Sequence, residues 1–433
     1  MGTMLSFEEA LGIVLNSACG LSGERVGISQ AANRVLAEDV RSDMDIPPFN
    51  KSAMDGYACH RADLGRELCV IDTIPAGAVP KQPVGLNQCA KIMTGGMVPE
   101  GADCVLMKEY VETVSENTIR FVGGQTADNI CRKAEDIRAG QIVLPKGTVL
   151  KSHHIAVLAS VGCVRPLVSK TPAVGIMATG SELVEPASVP ELSQIRNSNS
   201  IQLAAQAQAM GVSASDYGIA EDTEAAIEAM FKEAAGQNDI VIISGGVSVG
   251  DFDLVPEVLK RNDVRLLFES IAVKPGKPTV YGVSRVSRPR VPRVSDPRSE
   301  GGTPSTLAGK MPATRRDARD TSATPVYCFG LPGNPMSTFV QFEILIKPFL
   351  YKLMGHDYKY PNIQMPLDEL IERKNTDRQV WFPVAITEAG TVRLIEYHGS
   401  AHISSLCDAD GLIRVDVGVA RLEKGTLVQV RLI

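Results

Sequence analysis

Three times between residues 171 and 345 an apolar run breaks into a glycine loop: "PAVGIMATGSEL", "DIVIISGGVSVGD" and "VYCFGLPGNPMSTFVQFEIL". Runs that are apolar throughout, without alternation, belong to strands covered on both faces. Between them lie amphipathic stretches with helix punctuation. "SNSIQLAAQAQAMG" has Ser198 or Asn199 near its start and Gly211 just past its end, and "TEAAIEAMFKEAAG" follows "ASDYGIAED", which reads as a strand. Strands alternating with helices predict an α/β domain on a parallel sheet.

In such a sheet the loops "ATGSEL" (178–183), "SGGVSVGDFD" (244–253) and "LPGNPMS" (331–337) emerge together at the carboxyl ends of strands, where these folds bind ligands. Glycines such as Gly245, Gly246 and Gly333 let main-chain amides approach an oxyanion, and helix N-termini add positive potential. Ser248, or Ser337 ahead of its helix, offers a hydroxyl. Three such loops in one sheet point to a phosphate-bearing ligand. No Gly-Lys-Ser/Thr follows the glycines, and "SGGVSVG" lacks the GxGxxG order, so kinase, ATPase and dehydrogenase readings lose their main support.

Acids crowd the same loops: Glu182, Asp222, Asp251 and Asp253. Each has an ordinary reading as a helix cap, with Asp222 before "TEAAIEAM" and Asp251 or Asp253 before "LVPEVLK". As a set beside a phosphate cradle they repel one another unless a cation sits between them, which indicates Mg²⁺. "VKPGKPTVYG" places Lys274 and Lys277 on either side of a Pro-Gly turn, suited to an anion or to plain solvation. "YHGSAHISS" groups Ser400, His402, Ser404 and Ser405, but no GxSxG elbow supports a hydrolase.

The rest of the chain reads differently. Ser6 and Glu9 form a capping box at the head of "SFEEALGIVLNSA". Residues 57–145 are short segments broken by Gly and Pro, a β-rich pattern inside an N-terminal and linker region of residues 1–169. The α/β domain spans 170–355, and residues 360–433 carry turn signals every few residues, a C-terminal β-barrel-like domain. Residues 284–325, rich in Arg, Pro, Ser and Thr, cannot repay their ordering entropy by burial and read as a disordered insert. In "PPFNKSAMDGYA" (47–58), two prolines stop regular structure and Asp55-Gly56 marks a tight turn.

With 44 basic and 50 acidic residues the net charge is -6, which argues against a nucleic-acid binder. No apolar run reaches membrane-span length, and the N-terminus lacks a basic leader. Nine scattered cysteines, an odd number without CxxC, fit free thiols and a cytoplasmic location. His153-His154, an adjacent pair, is expected to point its rings apart and not to bind metal.

Taken together, "PPFNKSAMDGYA", "IMTGGMVPEGADCVLMKE", "RKAEDIRAG", "ATGSEL", "NSNSIQL", "SGGVSVGDFD", "AVKPGKPTVYG" and "FGLPGNPMSTF" resemble the molybdopterin molybdenumtransferases: bacterial MoeA and the E domains of gephyrin and its plant counterpart. The motifs run in family order over nearly the whole chain, and only 284–325 has no counterpart. The resemblance implies a four-part architecture and an elongated homodimer whose site joins the α/β domain of one subunit to the N-terminal β region of the other. It implies a transferase that binds adenylylated molybdopterin, delivers molybdate to its dithiolene sulfurs and releases AMP with Mg²⁺. An upstream molybdopterin adenylyltransferase, and cofactor-receiving molybdoenzymes or chaperones, are the implied partners.

Position by position, the resemblance assigns catalytic roles to Asp55, Thr94, Asp136, Glu182, Asp222 and Asp253. Of these, Glu182, Asp222 and Asp253 hold the metal. Substrate contacts fall by the resemblance to Lys274, Lys277, Pro332, Pro335, Arg378 and Ser400, and the loop reading adds Gly245, Gly246, Ser248 and Gly333. Three positions depart from the family pattern: Lys51 replaces a common Asn, Ala134 the glycine of "GEDI", and Ser181 the acid of "TGDEL". Two other readings remain at this stage. One is the related adenylyltransferases, which share the α/β domain but lack the flanking regions; the other is a gephyrin-like scaffold.

Overall fold

The computed structural model describes residues 4–248, 253–284, 325–395 and 403–433. Asp251, Ser400, His402 and residues 285–324 of the expected insert lie outside the described residues. The chain forms two compact units, Gly23–Val168 and Met1–Ser22 with Ser169–Ile433.

Helix α1 (Phe7–Asn16) opens on the expected capping box. The Ser6 hydroxyl accepts from the Glu9 amide, and the Glu9 carboxylate accepts from the Ser6 amide at 2.9 Å. Phe7, Ala10 and Val14 form its buried stripe, the 3–4 spacing of one helix face.

The Gly23–Val168 unit is built on β1 (Gly56–Cys59), β2 (Glu67–Ile74), β3 (Gln88–Ile92), β4 (Cys104–Met107), β5 (Val111–Ser115) and β6 (Thr118–Phe121), in sheet order β4-β1-β3-β2-β6-β5. Alternation along β1 and β4 sends Ala58 and Val105 to one core, and Cys59 and Cys104 to another. Gly56 is not half of a tight turn, as expected from sequence. It is the first residue of β1, and a Cβ there would stand 1.7 Å from the Leu106 carbonyl oxygen. Close strand approach, rather than turn geometry, demands the glycine.

Helix α2 (Ser152–Ser160) carries His153 and His154, whose ring centroids lie 4.0 Å apart. The rings touch, contrary to the expectation that they diverge. All nine cysteines are free thiols.

In the second unit β7 (Val174–Thr179), α3 (Asn199–Ala209), β8 (Ala214–Ala220), α4 (Glu224–Gln237), β9 (Ile240–Ser244), α5 (Val255–Arg261), β10 (Val264–Phe268), β11 (Val273–Lys274), β12 (Val280–Ser284) and β13 (Val326–Leu331) follow in order. The α/β sheet runs β8-β7-β9-β13-β12-β10. Its first four strands are parallel, and β7, β9 and β13 are buried at every position. β12 and β10 add an antiparallel edge that the sequence pattern did not reveal. From β7 the chain moves outward to β8, then crosses to β9 on the other side of β7. That reversal opens a crevice at the carboxyl ends of β7 and β9.

After β13 comes α6 (Pro335–Gln341), a π-helical turn (Phe342–Ile346) and α7 (Lys347–Leu353). The C-terminal strands β14 (Asn362–Pro366), β15 (Gln379–Ile386), β16 (Val392–Leu394), β17 (Gly411–Val415) and β18 (Leu427–Leu432) form a sheet ordered β11-β15-β17-β18-β14, with β16 beside β15. No helix among the described residues is long and apolar enough to cross a membrane.

Candidate active site

The three glycine loops meet at the crevice. Gly245 N–H donates to the Leu331 carbonyl at 2.9 Å, which joins the loops after β9 and β13. Gly245 and Gly246 have φ of 100° and 63°, and a Cβ on Gly245 would stand 2.4 Å from the Thr179 carbonyl oxygen at the end of β7. Both the backbone conformation and the close approach exclude a side chain. Ser248 follows, exposed. Pro332 is buried, and its carbonyl accepts from Thr338 Oγ1 at 2.6 Å. Pro335 is the first residue of α6, where a missing N–H costs nothing. Ser337, expected ahead of that helix, lies inside it at 2% exposure and is withdrawn as a ligand hydroxyl.

Neither Asp222 nor Asp253 holds the cap position of its helix. Thr223 caps α4 through the Ala226 amide, and the cap position of α5 is Leu254, without a side-chain bond. Asp222 instead reaches across to the loop after β7, where its Oδ2 accepts from Ser181 N–H at 2.8 Å. Glu182 is the next residue of that loop and is exposed, while Asp222 and Asp253 are half-buried. Among the described residues no three acids, histidines or cysteines gather as a metal cage. Mg²⁺ takes one or two carboxylates and completes its shell with substrate phosphates and water. Hard oxygen donors on adjoining loops beside a glycine cradle fit that requirement.

The cationic turn is fixed from behind. Pro275 and Gly276 are buried while Lys274 and Lys277 are exposed. Gln341, at the end of α6, donates to the Pro275 carbonyl at 3.1 Å, and Thr279 Oγ1 donates to that of Gly276 at 2.8 Å. Gly276, at φ 105°, has no room for a Cβ beside Gln341. In the parallel pair β11–β15, Val273 stands opposite Gln379 and Lys274 opposite Val380. Arg378, one residue before Gln379, therefore arrives at the same strand pair as Lys274.

In the Gly23–Val168 unit the structure brings Asp55 and Thr94 together. Asp55 Oδ1 accepts from both the amide and the hydroxyl of Thr94 at 2.8 Å, and Lys108 Nζ stands 3.5 Å from Oδ2. The Thr94 amide and then its hydroxyl hold the Asp55 carboxyl below the usual range, with desolvation opposing them and Lys108 adding to the effect. Asp136 is exposed on a loop laid against residues 46–50: its amide donates to the Ile46 carbonyl at 3.1 Å, that of Ala134 to Pro47, and that of Lys133 to Asn50 Oδ1. Ala134 has φ 60°, the left-handed conformation that explains a glycine at this position of the motif.

Sequence reasoning passed over three residues. Lys108 neutralises Asp55, Gln341 backs the lysine turn, and Asn199 bridges two loops through bonds of 2.7 Å to Ser244 Oγ and to the Gly333 carbonyl. Asn199 had been read only as a helix-start residue. The signal available was a second Asn in "NSN", one more than a cap needs.

Residues 5–162 match the MoeA N-terminal region (domain I and II), 175–352 a probable molybdopterin binding domain, and 372–433 the MoeA C-terminal region (domain IV). Among curated proteins the chain is 33% identical to a molybdopterin molybdenumtransferase of Staphylococcus epidermidis, covering 99% of this chain and 95% of the relative. It is 32% identical to one of Staphylococcus aureus, covering 98% and 94%. Among solved structures, a molybdopterin biosynthesis moeA protein from Pyrococcus horikoshii OT3 aligns over 100% of both chains with TM-score 0.79 and 28% identity.

Proposed function

The chain belongs to the molybdopterin molybdenumtransferase (MoeA) family of transferases in molybdenum cofactor biosynthesis, and from that premise we propose its reaction and the residues that carry it. The substrates are adenylylated molybdopterin and molybdate, and AMP leaves as the dithiolene receives the metal. The observation that carries the reading is the meeting of three glycine loops beside Asp222, with a rigid lysine turn in the same unit.

Gly246 and Gly333 open main-chain amides to the phosphate oxygens, Gly245 keeps the approach free of a side chain, Ser248 adds a hydroxyl, and Pro332 and Pro335 fix the third loop. Lys274 and Lys277 neutralise charge as AMP departs, and Arg378 adds a third cation from the residue just ahead of β15. Glu182, Asp222 and Asp253 would hold Mg²⁺, which supplies charge neutralisation on the pyrophosphate when bound. Asp55, kept ionised by Thr94, orients the molybdate or pterin end with Asp136, and Ser400 belongs to the same proposal. The cytoplasm is the proposed location, and the upstream adenylyltransferase and cofactor-receiving enzymes are the proposed partners.

Assembly as a homodimer, with Asp55 serving the site of the other subunit, completes the reading. Mixed dimers of Asp55→Asn and Asp222→Asn chains then regain one intact site, about a quarter of wild-type activity in a statistical mixture. Mixtures as inactive as either parent contradict the trans arrangement.

The defining experiment incubates purified protein with adenylylated molybdopterin, molybdate and Mg²⁺. Equal yields of AMP and molybdenum cofactor, lost on chelation, are expected. Net adenylyl transfer from ATP instead would make the protein an adenylyltransferase.

A further inference from the structure

The carboxyl edge of the sheet is joined at one buried side chain. Asn199 begins α3 and is 7% exposed. Its Nδ2 carries two hydrogens, and both are used. One goes to Ser244 Oγ, the last residue of β9, and the other to the main-chain carbonyl of Gly333, each at 2.7 Å. The Gly333 carbonyl can only accept, so it fixes which way the amide faces, since a flipped amide would set oxygen against oxygen. The third loop is tied to the same place through its own chain. Ile195 N–H donates to the Glu182 carbonyl and Asn197 N–H to that of Val184, so the segment after Glu182 leads directly into Asn199.

A side chain kept for stability would have all its polar atoms paired. Asn199 Oδ1 is buried with no hydrogen-bond partner among the described residues, a cost that well-packed proteins avoid. Thr179 Oγ1, at the end of β7, is in the same state. Both unpaired polar atoms, an amide oxygen and a hydroxyl, stand where the glycine loops converge.

We propose that Asn199 is a positioning residue of the phosphate cradle, holding the loops after β9 and β13 at the spacing that an AMP-bearing ligand requires. It touches neither the reacting atoms nor the metal, and acts through the loops that carry Gly245 and Gly333. This rests on the reading of those loops as a phosphate site.

The test uses the full-length protein and AMP as probe, with binding measured by calorimetry between about pH 8 and pH 5.5. Asn199→Asp keeps the shape but, when ionised, turns a lone pair toward the Gly333 carbonyl. Once protonated, its O–H can donate there again, and burial raises the pH at which this happens. The expected result is AMP binding weaker than wild type by about 10-fold or more at the high end, returning to within about 3-fold at the low end. The ratio to wild type at each pH removes the titration of AMP itself. A purely structural role gives no such recovery.

Ser244→Ala, which removes one anchor without adding charge, is the second arm, with binding weakened by about 3-fold expected. It carries the test if Asn199→Asp does not fold. Wild-type affinity in either folded variant across the range, or a loss in Asn199→Asp that does not recover at low pH, overturns the proposal. If the wild-type protein itself fails to bind AMP, the phosphate reading falls and this inference falls with it.

Discussion

At the edge of the α/β sheet the proposed recognition elements are main-chain amides in the loop of Gly245 and Gly246, both at positive φ, beside the Asn199 bond to Ser244. Around Asp55 they are side chains: a carboxylate, a threonine hydroxyl and a lysine ammonium brought together by a β-sheet. The first arrangement suits a ligand group that every substrate shares, a phosphate, because amides in a fixed loop need no reorganisation to meet it. The second suits a group whose charge or protonation changes, because Lys108 and Thr94 already set the state of Asp55 before anything binds. On the proposed reading the two regions handle anions with different materials, and substitutions should separate them.

The largest effect is expected from glycine. Gly56→Ala sets a methyl 1.7 Å from the Leu106 carbonyl oxygen and forces β1 from β4. A loss of about 3–5 kcal/mol is expected, the range of severe core strain, read as early hydrogen exchange confined to the Gly23–Val168 unit. Gly245→Ala meets the Thr179 carbonyl oxygen at 2.4 Å and should instead weaken AMP binding while that unit keeps its exchange protection. If both variants give the same phenotype, the contrast between the regions is lost.

Next, Asp222→Asn removes a carboxylate that bonds Ser181 N–H, and activity should fall about 10–100-fold with a higher Mg²⁺ requirement. Activity that falls with an unchanged Mg²⁺ dependence would move Asp222 from metal to loop support. Smaller still, Ala134→Gly relieves a left-handed alanine at φ 60° and should stabilise by about 0.5–1 kcal/mol in urea denaturation. No gain would mean that the loop bearing Asp136 pays for its strain elsewhere.

The smallest expected effect is a pH dependence at Asp55. Its carboxyl is depressed in the folded state, so its contribution is present above the unfolded value of about 3.9 and disappears as pH falls through the lower folded value. The stability difference between wild type and Asp55→Asn should therefore close below about pH 4. A difference that grows there would contradict the Thr94 and Lys108 contacts.

What could be read in the sequence follows the same division. The glycine loops were legible because a backbone requirement restricts the residue itself, and α1 was legible because Ser6 and Glu9 are three residues apart. Asp55–Lys108, Gln341–Pro275 and Asn199–Gly333 join residues 53, 66 and 134 positions apart, and no local pattern marks either member. Gly56 shows the limit within one motif: a glycine next to an Asp looks like a turn until the opposite strand is known. Asp222 was open to two readings until Thr223 took the cap. The antiparallel edge of β12 and β10 stayed hidden because its apolar runs resemble those of the parallel strands.

The measurement that bears most directly on the division of labour compares Asp55→Asn with wild type for AMP affinity and for cofactor formation as molybdate is titrated. AMP affinity within about 2-fold of wild type is expected, because the amide cradle is untouched, with cofactor yield down by about 100-fold at limiting molybdate. AMP affinity that falls together with cofactor yield, or a wild-type yield, would contradict the separation of phosphate recognition from the Asp55 side-chain cluster.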